Sequence, residues 1–153
     1  MTRDFAGSPP VVDASVGVKW YLAEPYSDLA RRLVQGRGFS RHRLQVPDLF
    51  FAECANILWK RLRREELERE EVDRIAESLT ALPFLIHPHA ALMQPALAIA
   101  ASTDRSAYDS FYLALAIRER TVLITADRRL WDSLAGTPLA GHLLWIEDVE
   151  DAL

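Results

Sequence analysis

The sequence predicts an α/β fold: a three-layer sandwich with a short, mostly parallel central sheet. Short apolar segments that suit buried strands, such as 11–13 (VVD) and 121–127 (TVLITAD), alternate with longer segments whose apolar residues recur at helical spacing. This alternation is typical of a parallel sheet covered by helices. Hydrophobic residues make up 50% of the 153 positions, which is enough for one domain with a substantial core.

The first half of the chain holds two predicted strands. We expect a flexible lead-in over residues 1–9 and a single domain over 10–153. Pro47 suits the first turn of a long helix. The elements predicted in order are a strand at 10–13, helices at 14–23 and 27–35, a basic loop at 36–43, a strand at 44–46 and a helix at 49–67.

The second half continues the alternation without an internal repeat or a linker. Pro83 ends one amphipathic helix, and Pro95 suits the first turn of another. The elements predicted in order are a helix at 68–82, a strand at 84–87, helices at 92–101 and 107–119, a strand at 121–127, a helix at 128–135, a loop at 136–141 and a strand at 143–146.

Composition excludes several classes of protein. The net charge of −4 argues against binding nucleic acid by bulk attraction. Cys54 is the one cysteine, so no internal disulfide is possible and a reducing, cytoplasmic location is expected, with the thiol buried and inert. No segment has the roughly 20 apolar residues of a membrane span, and the N-terminus does not read as a signal peptide.

Four carboxylates stand among apolar or small residues. Asp13 and Asp127 each end a predicted strand, Glu53 interrupts FFAECANIL, and Asp109 precedes SFYLALAI. Each has an ordinary structural explanation: Asp13 and Asp127 as helix N-caps, Asp109 as half of a capping box with Ser106, and Glu53 as the partner of a basic residue.

Taken together, the four acids indicate a metal site. The carboxyl ends of parallel strands face one edge of the sheet, where ligands bind in such folds, and two of the acids lie at such ends. Clustered carboxylates resist ionisation unless a cation neutralises them. Their hard oxygen atoms suit Mg²⁺ or Mn²⁺, whereas the scattered histidines and single cysteine do not suit zinc.

Four blocks together resemble a known family. VVDASVGVKW, PDLFFAECANIL followed by RLRREEL, YDSFYLALA and ITADRRL are similar in order and spacing to the PIN domain, and in particular to the VapC-type ribonuclease toxins of toxin–antitoxin pairs. The resemblance runs from about residue 11 to 149. It implies a PIN-like nuclease domain and an endoribonuclease that depends on Mg²⁺ or Mn²⁺.

The resemblance also assigns roles to individual residues. Asp13 and Asp109 would be the main metal ligands, completed by Glu53 and Asp127 directly or through water. Ser15 and Thr125 match small polar positions that orient a carboxylate or hold water, although helix capping and strand-end bonding explain them as well. Asn56 matches the asparagine of the family, for which we expect a bond to Glu53. The candidates for contact with RNA phosphates are Arg41, Arg43 and Arg128.

The partners implied by the resemblance are an RNA substrate, a second copy of the chain and a cognate antitoxin. The antitoxin is a separate small protein with its own DNA-binding domain, and this chain shows no DNA-reading motif. In such toxins the first helices help to form the groove for an antitoxin peptide. An exposed Tyr21 or Leu22 would fit that role.

Other functions stay open at this point. A strand-end Asp also suits aspartyl phosphotransferases of the haloacid dehalogenase type, but those need a second Asp two residues on, where this chain has Ser15. A PIN nuclease of RNA processing, or a catalytically silent PIN binding module, would share the fold.

Overall fold

Five short strands form the centre of the fold in the computed structural model, which describes residues 8–35 and 44–149. They are β1 (Val11–Val12), β2 (Gln45–Pro47), β3 (Leu85–His87), β4 (Leu123–Thr125) and β5 (Leu143–Trp145). Their order in the sheet is β3-β2-β1-β4-β5, and every neighbouring pair is parallel. The predicted α/β sandwich with a mostly parallel sheet is confirmed.

Helices connect the strands, as parallel pairing requires. They are α1 (Ala14–Gly17), α2 (Ser27–Gln35), α3 (Leu49–Arg63), α4 (Arg69–Ala81), α5 (Met93–Thr103), α6 (Ala107–Arg118) and α7 (Arg128–Leu134). Single 3-10 turns follow α1, precede α5 and flank β5. The strands are buried apart from β3, one of the two edge strands, which is half exposed.

The sequence placed several helix ends wrongly. The first helix ends at Gly17 and continues as a 3-10 turn through Trp20, short of the predicted residue 23. Pro47 is the last residue of β2 and not part of the next helix, which begins at Leu49 after Asp48. That helix ends at Arg63 because Glu65 adopts a left-handed backbone with φ of 58°. A 3-10 turn, Pro138–His142, occupies most of the predicted loop at 136–141.

Close packing of α1 against α3 sets the position of the helix that carries Glu53. Gly17 has no side chain, and a Cβ built there would lie 2.6 Å from the ring of Phe50, which is fully buried. The same added Cβ would lie 3.8 Å from Sγ of Cys54, one turn further along α3. Only a glycine lets the two backbones approach this closely.

The predicted lead-in is tied to the fold where the structure describes it. The Gln45 side-chain amide donates to Pro9 O at 2.7 Å and to Ser8 Oγ at 3.2 Å, so 8–9 belong to the domain. Residues 1–7 and the basic loop at 36–43 lie outside the described residues. None of the described helices is both long and apolar enough to cross a membrane.

Candidate active site

Asp13 follows β1 at the middle of the sheet and is buried, with 8% of its surface exposed. It caps α1: Oδ1 accepts hydrogen bonds from the Val16 backbone N–H at 3.1 Å and from the Ser15 hydroxyl. Oδ2 accepts from the Thr125 hydroxyl at 3.2 Å. The cap explanation is therefore correct, but burial of a full carboxylate exceeds what a cap needs.

Asp127 comes soon after β4, the strand that pairs with β1, and so lies at the same carboxyl end of the sheet as Asp13. Thr125 links the two acids, because its hydroxyl donates to Asp13 and accepts from the Asp127 backbone N–H at 3.0 Å. The Asp127 carboxylate caps α7 through the N–H groups of Arg129 and Leu130. This place, beside the central strand from which the chain winds both ways, is the switch point where parallel sheets bind ligands.

Glu53 approaches the same region from α3. Its side chain is partly buried, and Oε1 accepts a hydrogen bond from the hydroxyl of Tyr112 on α6. Burial raises the pKa of Glu53, as does the nearby charge of Asp109. Burial also raises the pKa of Tyr112, so its hydroxyl stays protonated and acts as the donor.

Asp109 stands in the first turn of α6, where Ser106 caps its backbone N–H at 3.1 Å. Its carboxylate does not complete a capping box, because Oδ2 pairs instead with the guanidinium of Arg105 at 2.9 Å. The charge of Asp109 raises the pKa values of both Asp13 and Glu53. Three of the four acids are thus electrostatically coupled, with Asp109 in common.

The electrostatics of this edge favour a cation. Desolvation is the main reason that the pKa of Asp13 rises to about 6, and the charge of Asp109 adds to it, although three hydrogen bonds oppose the shift. In the part of the chain that is described, no three Asp, Glu, His or Cys side chains are close enough, as oriented, to hold a metal ion together. Asp13, Glu53 and Asp109 therefore influence one another electrostatically, but as oriented they do not form a metal-binding group.

Comparisons with known proteins identify the family of the chain. The PIN domain model matches residues 11–136. The chain belongs to the PIN-domain family. Within it, the chain is 34% identical to ribonuclease VapC3 of Pyrobaculum aerophilum over 78% of this chain and 90% of that protein. It is 32% identical to ribonuclease VapC9 of Mycobacterium tuberculosis over 80% of this chain and 89% of that protein.

A solved structure supports the fold independently. The PIN chain superposes on the crystal structure of PAE2754 from Pyrobaculum aerophilum with a TM-score of 0.65, covering 97% of this chain and 92% of that one at 23% identity. The similarity to VapC-type PIN ribonucleases that the sequence predicted is therefore confirmed.

Two of the three residues predicted to support the acids of this PIN domain contact them. Ser15 and Thr125 both donate to Asp13. Among the described contacts no hydrogen bond joins Asn56 to Glu53, so the role expected for Asn56 stays a prediction. The Glu53 carboxylate turns to Tyr112, whereas Asn56 lies on the exposed side of α3.

Of the arginines that bear on RNA contact and on the position of α3, the structure describes Arg61 and Arg128. Arg41 and Arg43 lie outside the described residues. Arg128, exposed at the start of α7, places its guanidinium over the ring of Trp145 at 4.2 Å from the centroid. Arg61 pairs with both Glu24 and Glu66, and so ties α3 to its surroundings.

Sequence reasoning missed Tyr112 and Arg105, the two side chains that hold Glu53 and Asp109. Only Tyr112 had a usable signal: it lies three residues after Asp109 on α6 and therefore on the same side of the helix, whereas Arg105 precedes the helix. Two other expectations can be settled. Cys54 is buried with a pKa raised to about 12, mainly by burial, so the inert thiol is confirmed. Leu22 is buried and Tyr21 bonds Ser78, so neither is the freely exposed side chain expected for an antitoxin groove.

Proposed function

We propose that this protein is a metal-dependent endoribonuclease and the toxin of a toxin–antitoxin pair. The supporting observation is the burial of Asp13 at the switch point of the sheet, where the charge of Asp109 acts on it and its pKa is raised to about 6. A carboxylate kept there costs stability unless a ligand of positive charge compensates. The proposed activity is taken from the relatives that are named VapC ribonucleases.

Mg²⁺ or Mn²⁺ is the cofactor that suits this set of oxygen donors. Asp13, Asp109 and Glu53 would hold the ion, and Asp127 would complete the site, directly or through water. When bound, a divalent cation supplies charge stabilisation for phosphodiester hydrolysis and a more acidic water. As the described side chains are oriented, no three of them are grouped to hold an ion. Glu53 and Asp109, both partly exposed, would therefore have to turn toward a common ion when it binds.

The residues of the chain itself prepare the site. Ser15 and Thr125 fix both oxygen atoms of Asp13, so that this carboxylate does not have to be ordered when the ion binds. Arg128 is the described candidate for a phosphate contact, because it follows Asp127 and is an exposed residue. Arg41 and Arg43 stay candidates for the same role.

Assembly is part of the proposal. The antitoxin would be a separate small DNA-binding protein that blocks the site in the cytoplasm. The second copy of the chain would pack on α5, where Met93 and Leu97 expose 58% and 52% of their surfaces on one helix face. No charged residue occurs from residue 90 to 103, so two copies of this surface face no like-charge repulsion.

The test is cleavage of cellular RNA by purified protein with Mg²⁺ or Mn²⁺, with EDTA, and by Asp13→Asn. We expect cleavage that needs metal and is lost in the variant. Arg69→Gln, which breaks an exposed ion pair on α4, is the control for an arbitrary charge change and should cleave as the wild type does. Equal cleavage by wild type and Asp13→Asn would contradict the proposal.

A PIN domain that binds partners without cutting RNA is the second candidate. One observation favours it: within residues 8–35 and 44–149, no three potential ligands stand ready around an ion. Folded, antitoxin-free protein that neither binds Mn²⁺ nor cleaves RNA would support this candidate over the nuclease.

A further inference from the structure

Tyr112 combines two properties that a simple core residue does not need to combine. It is buried, with 2% of its surface exposed, among the core side chains of α6. Its hydroxyl nevertheless emerges from this apolar setting to donate to Glu53 Oε1 on another helix. A buried hydroxyl must find a partner, and the partner here is one of the proposed metal ligands.

The position of Tyr112 links two acids through one rigid element. Tyr112 lies three residues after Asp109, so α6 presents both side chains to the same side. Glu53 comes from α3 and has three rotatable side-chain bonds, whereas the tyrosine ring has two and is locked by packing. The hydrogen bond therefore transfers the rigidity of α6 to a carboxylate that would otherwise rotate into solvent.

We propose that Tyr112 is a positioning residue that holds Glu53 for divalent-metal binding. The inference rests on the proposed function, since it takes Glu53 as a ligand. One oxygen of Glu53 is occupied by the tyrosine, which leaves Oε2 to face the ion. Removing the hydroxyl releases Glu53, and the metal must then pay for ordering it.

The test is a double-mutant cycle on Mn²⁺ affinity, measured by calorimetry or by electron paramagnetic resonance of free Mn²⁺ on chelator-treated protein. The variants are Tyr112→Phe, Glu53→Ala and both together. Tyr112→Phe keeps the ring and removes only the hydroxyl. We expect it to weaken Mn²⁺ binding about three- to tenfold, the usual effect of one lost hydrogen bond. In the Glu53→Ala background the same change should alter affinity by less than about twofold.

Tyr21→Phe is the matched control, because its hydroxyl bonds Ser78 on α4 at 2.7 Å, outside the acid cluster. It should bind Mn²⁺ as the wild type does. A residue that serves packing alone would lower the thermal midpoint in EDTA and leave Mn²⁺ affinity unchanged. That result, or an equal loss of affinity with and without Glu53, would overturn the inference.

The failures of the two proposals are distinguishable. If wild-type protein binds no Mn²⁺, the metal site is wrong and the role of Tyr112 falls with it. If wild type binds Mn²⁺, Asp13→Asn does not, and Tyr112→Phe binds as tightly as wild type, the metal site stands and only the positioning role is overturned.

Discussion

Asp13 shows how a single residue serves structure and function at opposing energetic cost. Its Oδ1 caps α1, which stabilises the fold, and its burial raises the pKa, which disfavours the charged form. The net effect depends on pH and on whether a cation is present. Replacing Asp13 should therefore increase stability above pH 6 in the absence of metal and, at the same time, abolish activity.

Replacing Asp13 by Asn should change the pH dependence of stability in EDTA. The folded protein keeps the Asp13 proton up to a pH of about 6, whereas the ordinary pKa is 3.8. Between these values the native state binds more protons than the unfolded state, so wild-type stability falls as pH rises. The loss is at most about 3 kcal/mol. The free energy of unfolding of Asp13→Asn, measured with urea, should not show this fall. Above pH 6 the variant should therefore be more stable than the wild type.

Asn suits this test because its Oδ1 can still accept from Ser15 and Val16. Ser15→Ala is the comparison variant, since it weakens the same cluster but keeps the titrating carboxylate. Its stability should still fall as pH rises, and the fall should extend to higher pH than in the wild type, because the Ser15 hydrogen bond lowers the pKa of Asp13. Parallel stability curves for wild type and Asp13→Asn between pH 4 and 7 would refute the burial argument.

Arg105 offers a second prediction at this scale. Its guanidinium pairs with Asp109 at 2.9 Å and is the cation nearest to that proposed ligand among the described contacts. Arg105→Gln removes positive charge beside the metal site, so Mn²⁺ should bind about three- to tenfold more tightly, equivalent to roughly 1 kcal/mol. Titration of chelator-treated protein measures this. Arg69→Gln, which breaks an exposed pair with Asp73, should leave the affinity unchanged; weaker binding by Arg105→Gln would contradict the prediction.

Local sequence predicted those site residues that act within their own segment. Ser15 and Asp13 are two residues apart, so their bond follows from a helix start. Tyr112 and Glu53 are 59 residues apart, and nothing in either segment reveals that their helices meet. The resemblance, together with a spacing of one helical turn, predicted that Asn56 bonds Glu53, but the Glu53 carboxylate accepts from Tyr112 on another helix.

At the scale of elements, the contact between α1 and α3 governs where Glu53 stands. Gly17→Ala would place a methyl group 2.6 Å from the buried Phe50 ring. We expect a loss of about 1–3 kcal/mol in the free energy of unfolding, measured by urea denaturation. Gly136→Ala and Gly141→Ala are matched controls, because an added Cβ at either meets nothing within 4 Å. Equal stability of Gly17→Ala and these controls would show that α1 and α3 separate at little cost.

The order and type of the elements followed from periodicity, whereas their ends depended on tertiary contacts. Pro47 stays in β2 because that strand pairs with β3 as far as His87. α3 ends where Glu65 adopts a left-handed backbone conformation. A glycine is the usual sequence signal of such a helix end, and none is present there. α1 is short because the chain turns after Trp20, a change that helical spacing alone does not reveal.

At the scale of the whole molecule, the acidic net charge of −4 and the proposed RNA substrate oppose each other. Local charge resolves the conflict. Asp13, Glu53 and Asp109 are electrostatically coupled, a divalent cation held by them would reverse the local sign, and Arg128 directly follows Asp127. RNA binding should therefore depend more on the bound divalent ion than on the net charge of the protein.

The exposed apolar face of α5 predicts the assembly. Leu97→Glu places a charge at the centre of the face shared with Met93, and it should convert a dimer to a monomer in sedimentation velocity at micromolar concentration. Val34→Glu, at a residue 38% exposed on α2, is the control for adding a surface carboxylate to an apolar position and should remain dimeric. A wild-type protein that sediments as a monomer, or a Leu97→Glu variant that stays dimeric, would exclude α5 as the interface. α5 packs on α6, which carries Asp109 and Tyr112. If the interface orders the metal site, the monomeric variant should also bind Mn²⁺ more weakly than the wild type.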